Sequence, residues 1–407
     1  MCDPPVATSV DGRLLAKGVI LSDEGNLCVL CAFDYCELRT GAHDLFRRKI
    51  ANALGVNELQ VEVHCVHQHD APFYDVNADM LLDLAPAPPH LGDPKFTEVA
   101  SDLVGAEVRA ALGRMQPCTH VGWGKGKVEK FASNRRVRMP DGSIGVRYST
   151  CTDPVLIAAP EGLIDPWLRT VTFFNQDRPL VRLHYYASHP QSYYGKGHMN
   201  PDTAGLARER LEKEEGVPQV YFNGCAGNVA AGKYNNGSPE LRVQLAERLY
   251  QGMKASIFST LKARCAGFSR KGAEVRFPLR PEREFSEQYF RSVLVDAAQP
   301  YHERTKAAMG LAWYERLKLW PTVDMSCYRI GPVSILSLPG EAFVEYQLYA
   351  QSLRTDSFIA TAAYGELGLG YVCTDKALSE GGYEPTESFA GAGTEENLKS
   401  AIRELLA

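Results

Sequence analysis

Residues 59–72 read LQVEVHCVHQHDAP. The first seven positions alternate apolar and polar side chains, the period-two pattern of a strand with one face buried. The pattern then runs directly into His67, His69, Asp70 and Pro72. A strand that leaves the sheet through ligand-type side chains is where α/β proteins usually expose their chemistry. Three of the ten histidines, His64, His67 and His69, fall within these positions. His67 and His69 stand two apart, so on a strand both imidazoles point to one face. His64 lies off that face and reads as structural.

Working outward, strands and helices interleave along the whole chain. LLAKGVILSD and NLCVLCAFDY form a hairpin around DEGN, and GAHDLFRRKIANALG is a helix closed by Gly55. DPKFTEVASDLVGAEVRAALGRM is a second helix, followed by the strand THVGWGKGKVE. WLRTVTFF and PLVRLHYYASHP are strands, the second ending in His189. The helix PDTAGLARERLEKEEG, the short strand in PQVYFNGCAGNVAAG and the long helix SPELRVQLAERLYQGMKASIFSTL follow. Residues 269–320 give a strand and two helices. SCYRIGPVSILSLPGEAFVEYQLYAQSLR is a hairpin, loop and helix. SFIATAAYGELGLGYVCTD is a strand with a glycine-rich turn, and EENLKSAIRELLA is the last helix. With no internal repeat and no Pro/Ser-rich linker, the expectation is one large mixed α/β domain spanning 1–407.

Composition excludes several classes. The net charge of −5 comes without a dominant Lys/Arg block, so nucleic acid is not an expected partner. No apolar run approaches the ~20 residues that span a bilayer. MCDPPVATSVDGRLLAKG lacks the basic and apolar regions of a leader, which makes a cytoplasmic location the default expectation. Most of the eleven cysteines sit in apolar segments. Cys28 and Cys31 fall on opposite faces of a strand, and no second CxxC completes a metal knuckle, so they read as core. Reduced thiols fit the same compartment.

Four segments share one pattern, a strand running out into a loop with a strong ligand type: His67/His69, His189, Glu341 in LPGE, and the tyrosines Tyr371 and Tyr383. In this order they resemble the neutral ceramidase superfamily over nearly the whole chain. HQHDAP at 67–72 matches the family's HTHSGP, Asn134-Arg135 its asparagine–arginine motif, and ASHPQ at 187–191 its ATHGT. NPDTAG matches an Asp-containing turn before a helix, CAGNVAAG the NxGDxSPN loop, Pro339-Gly340-Glu341 the PGE, and GYVCT with Tyr383 the GYVTT and a later tyrosine.

The resemblance implies the neutral-ceramidase domain fold and one zinc ion per chain held by His67, His189, Glu341 and Tyr371. It implies that His69, Arg135 and Tyr383 face substrate, with Asp70, Asn134, Asp202 and Asn228 in supporting or substrate-binding places. Asp202 and Asp70 are candidates to orient a ligating imidazole through its other nitrogen. One departure bears on mechanism: the family serine is replaced by Ala230, and the preceding acid by Asn228. Zinc-activated water can attack without a serine.

In this respect the chain is closer to bacterial ceramidase-like proteins than to true ceramidases, and it ends soon after the last motif, without their C-terminal sandwich domain. The expectation is therefore a zinc-dependent hydrolase cleaving an amide C–N or ester C–O bond of a small or lipid-like substrate. Two alternatives stand beside it, a zinc-dependent carbohydrate-cleaving enzyme and a non-catalytic, zinc-stabilised binding protein.

Overall fold

The computed structural model describes residues 6–407; positions 1–5, where the leader reading begins, lie outside them. The expected hairpin forms from Ala16–Asp23 and Asn26–Phe33, and Val61–Cys65 adds to it in parallel, giving a three-stranded sheet. A five-stranded sheet runs in the order Gln219–Asn223, Arg178–Tyr186, Trp167–Asn175, His120–Lys127, Leu261–Arg264. A four-stranded sheet runs Ser269–Val275, Val323–Ile330, Val333–Ser337, Phe358–Ala362. The strand Gln219–Asn223 packs against both Val61–Cys65 and Phe358–Ala362, so the three sheets meet along it.

Strand Asn26–Phe33 shows why its sequence does not alternate. Val29, Cys31 and Phe33 enter one hydrophobic core, whereas Cys28, Leu30 and Ala32 enter a second. A strand covered on both faces reads as a continuous apolar run. Cys28 and Cys31 are therefore packing residues on opposite faces. The first core lies under helices Thr40–Leu54, Tyr301–Leu319 and Thr394–Leu406, the second under Asp202–Glu215 and Pro239–Phe258. Helix Thr40–Leu54 stops at Gly55, whose φ of 70° is the left-handed turn that glycine adopts without steric cost.

The parallel pairs fix where the chemistry-bearing loops emerge. Arg178–Tyr186 pairs in parallel with Gln219–Asn223, and Val333–Ser337 with Phe358–Ala362. The carboxyl ends of Val61–Cys65, Arg178–Tyr186, Gln219–Asn223, Val333–Ser337 and Phe358–Ala362 lead to His67, His189, Asn228, Glu341 and Tyr364 in turn. Crevices beyond the carboxyl ends of parallel strands are the usual ligand sites of open α/β sheets. Among the described residues, no helix is long and apolar enough to cross a membrane.

One local expectation is corrected here. The strand bearing the histidines ends at Cys65, so His67 and His69 do not share a strand face. Instead the His67 N–H donates to the Tyr35 carbonyl at 3.0 Å, and His67 turns into the left-handed region at φ 69°. That turn, rather than strand alternation, brings the two rings to 4.9 Å. The short helix Val76–Asp83, capped by the Asp75 carboxylate on the Ala78 N–H, also went unforeseen, since eight residues give too short a periodic window.

Candidate metal centre

His67, His189 and Glu341 converge from three different strand ends, and all three are buried. The Glu341 Oε2 lies 3.2 Å from His67 Nε2 and 3.0 Å from His189 Nε2, and one potential ligand atom from each residue falls within 4.8 Å of the others. The rings of His67 and His189 are 4.9 Å apart.

Backbone carbonyls fix the chemistry of both imidazoles. His67 Nδ1 donates to the Cys36 carbonyl at 2.7 Å, and His189 Nδ1 donates to the Ala226 carbonyl at 2.8 Å. A carbonyl only accepts, so each Nδ1 carries the proton and each neutral ring turns the Nε2 lone pair toward Glu341. Two lone pairs and a carboxylate oxygen pointed at one another require a positive charge between them. Protonation answers that demand in part. Burial opposes charging His67, yet attraction to Glu341 pulls the imidazole well above its usual value. Burial would raise Glu341, but His67 and His189 hold it well below the carboxylate range. A divalent cation answers it fully, and imidazole nitrogen with carboxylate oxygen is a donor set that suits zinc. His67 Nε2 is buried without a hydrogen-bond partner, which is how an atom reserved for a metal presents itself. The residues fit the ion.

Glu341 is placed by its backbone on two sides. It pairs in parallel with Tyr371, so the two side chains stand opposite each other on one face. The loop CAGNVAAG crosses behind it, with the Gly227 N–H donating to the Ala342 carbonyl at 2.9 Å. A Cβ at Gly227 would lie 2.2 Å from the Glu341 carbonyl oxygen, so only glycine permits the crossing.

Arg135 enters from the other side. Its Nη2 donates to the Tyr371 hydroxyl at 3.1 Å, its Nη1 lies 3.4 Å from His189 Nε2, and its Nε donates to Glu384 at 3.2 Å. Glu384 also accepts from Arg136 at 3.0 Å, so one fully buried carboxylate holds two successive arginines. The Arg135 guanidinium stacks against both tyrosine rings, 5.4 Å from Tyr371 and 5.1 Å from Tyr383. His69 stands beside the centre, its ring 6.1 Å from His189 and its Nε2 buried without a hydrogen-bond partner. Burial, with His67 and His189 nearby, pushes its pKa well below the usual histidine value.

The residues expected to support the site brace the loops around it. Asp202 accepts from the Ser192 N–H and hydroxyl, at 3.1 and 2.8 Å, and Asp70 accepts from Gly195 N–H and the Asn200 amide at 2.8 and 3.0 Å. They shape the loop after His189, while the His67 and His189 imidazoles are oriented by the Cys36 and Ala226 carbonyls. Asn134 donates to the Leu163 carbonyl at 2.9 Å and accepts from the Arg136 N–H at 3.0 Å. Asn228 accepts the Arg135 N–H on its carbonyl at 2.7 Å and the Val344 N–H on its side chain at 3.0 Å, tying Arg135 to the helix after Glu341. Ala230 is fully buried and pairs with Ser133.

Tyr364 joins the site without any motif to mark it. Its ring lies 4.5 Å from His67, its hydroxyl is buried without a hydrogen-bond partner, and its φ is 63°. It leaves a strand end just as His67 and His189 do, and that shared rule would have flagged it.

Solved structures share this arrangement of strands and helices. Neutral ceramidase from Pseudomonas aeruginosa matches with a TM-score of 0.71 at 17% identity, over 98% of this chain and 69% of that one. The chain has the neutral ceramidase fold. A ceramidase complexed with C2 matches with the same TM-score and identity, over 98% of this chain and 70% of that one. No family model and no curated protein matches the sequence. At this identity the neutral ceramidase fold is carried by burial pattern and strand order, while most individual side chains differ.

Proposed function

We propose that this protein is a zinc-dependent hydrolase that cleaves an amide or ester bond in a small or lipid-like substrate. The observation that carries the reading is the buried His67–His189–Glu341 triad, with both imidazole tautomers set by carbonyls. Tyr371, opposite Glu341 and hydrogen-bonded to Arg135, completes the proposed ligand set. When bound, zinc supplies a Lewis acid that polarises a carbonyl and makes a water nucleophilic near neutral pH. That suits a chain in which Ala230 replaces the serine nucleophile.

The remaining roles follow from side-chain chemistry. His69 is held neutral beside the triad, so it can accept the proton of an attacking water and return it to the departing nitrogen or oxygen. Arg135 and Tyr383 offer donors to the negative oxygen that develops on the substrate carbonyl. Glu384 keeps Arg135 in place and balances its charge. Glycosidases of the usual kind need two free carboxylates, and Glu384 has both oxygens engaged by arginines. The hydrolase reading is therefore preferred over carbohydrate cleavage.

The test is metal content by elemental mass spectrometry on wild type and His189→Ala, together with hydrolysis of a panel of amides, esters and N-acyl lipids. The expected result is about one zinc per wild-type chain, lost with turnover in the variant. Wild type free of zinc would overturn the proposal. A zinc-loaded protein inert on the whole panel would turn it toward the binding-protein alternative.

A further inference from the structure

Eight of the ten described cysteines are buried; Cys118 is exposed and Cys265 is partly exposed. These two lie together. Strands His120–Lys127 and Leu261–Arg264 pair antiparallel up to the rung His120–Arg264. The ladder continues one residue further, where the Cys265 N–H donates to the Thr119 carbonyl at 2.9 Å. Cys118 is the next residue, so the two thiols flank one rung. The Cys118 thiol donates to the His120 carbonyl at 3.4 Å and the Cys265 thiol to the Gly267 carbonyl at 3.6 Å, and each thiol perturbs the other's titration.

We propose that Cys118 and Cys265 are a redox-responsive thiol pair that closes to a disulfide by exchange with a small disulfide of the glutathione class. The two thiols are inequivalent in a way that suits such exchange. The contact with Cys118 pushes Cys265 down to about 6, against the opposing effects of burial and of Asp23, which favours Cys265 as the attacking sulfur. The same contact raises Cys118, which stays protonated. The Cys265 thiolate attacks one sulfur of the incoming disulfide, forming a mixed disulfide and expelling one small thiolate. Cys118 then gives up its proton and attacks the Cys265 sulfur, releasing the second small thiol. Over the two steps a protein thiolate and a protein thiol become one S–S bond. The incoming disulfide is reduced by two electrons to one thiolate, which takes a proton from solvent at its own pKa, and one thiol, which carries the Cys118 proton.

The position gives the bridge a consequence. Just past Cys265 the Phe268 N–H donates to Asp23 at 3.3 Å, so this turn joins the five-stranded sheet to the Ala16–Phe33 hairpin and to the strand Ser269–Val275. A bond here ties two strands far apart in sequence, a long loop whose closure constrains the unfolded chain.

The experiment uses the full chain in a Cys2→Ser background, incubated at neutral pH with oxidised glutathione, quenched with acid and read by intact mass and peptide mapping. The expected product has lost two hydrogens, contains a 118–265 cross-linked peptide, melts higher than the reduced protein, and reverts with dithiothreitol. Cys118→Ser should stop at one glutathione adduct on Cys265, and Cys265→Ser should react at least tenfold more slowly. Stable adducts on both thiols of one chain, or no reaction of either, would overturn the pairing. Equal rates in the two variants would overturn the assignment of Cys265 as nucleophile.

Discussion

Replacing His184 by glutamine should remove about half of the acid sensitivity that two buried histidines give this fold. His184 is fully buried between Thr170, at 2.8 Å from its Nδ1, and Gln219, at 2.7 Å from its Nε2. Burial pushes it down to about 4, and burial does the same to His64. The unfolded chain binds a proton at each near pH 6.5 and the folded chain only near 4, so stability is complete above 6.5 and falls as the pH drops toward 4. At about 1.4 kcal/mol per pKa unit, each histidine withdraws about 3 kcal/mol across the window, and about 2 kcal/mol of that between pH 7.5 and 5. Urea unfolding followed by tryptophan fluorescence at the two pH values gives the difference for wild type and His184→Gln. Groups common to both proteins cancel, so the variant should lose about 2 kcal/mol less than wild type on acidification. An unchanged difference would refute the argument that His184 stays neutral in the folded protein.

Other outcomes are expected elsewhere in the molecule. Arg208→Met should cost about 3–5 kcal/mol in urea unfolding, because it strands the buried Asp34 carboxylate that Arg208 holds with two bonds of 2.9 and 2.8 Å; a cost under ~1 kcal/mol would mean that Asp34 finds another partner. Gly227→Ala should displace Glu341, with about 1–3 kcal/mol of destabilisation and loss of bound metal; a variant that keeps full metal content would show that the crossing relaxes elsewhere. A strong chelator should lower the melting temperature of wild type, since metal at a thousandfold excess over Kd contributes about 4 kcal/mol. It should not move His189→Ala, and an equal shift in both would place the ion at a different site.

The fold was legible where burial imposes a period. The hairpin, the long helices and the strand ends could be read because apolar spacing reports directly on which face meets the core. NLCVLCAF can be assigned even without alternation, and parity alone puts its cysteines on opposite faces, which the two cores bear out. Single residues marked His67, His189 and Glu341 only as strand ends with ligand chemistry; their grouping came from the motif order of the resemblance. The groups that orient the imidazoles were not legible, because the carbonyls of Cys36 and Ala226 belong to the backbone and leave no mark in side-chain type. For the same reason Asp70 and Asp202, acids in suggestive places, were credited with a task that peptide groups perform. Glu384 was hidden by its neighbours: a glutamate after a tyrosine reads as surface until two arginines from a distant loop close on it.

His67, Asp202 and Tyr364 are all held at positive φ, at 69°, 47° and 63°, in a region that non-glycine residues avoid at a cost of order 1–3 kcal/mol each. Three of the eight described non-glycine residues at positive φ therefore share an address with the candidate chemistry. Selection for thermal stability alone would relax these three positions along with the others. Engineering this protein toward heat resistance is better aimed at its outer helices, leaving the tension around the histidines intact.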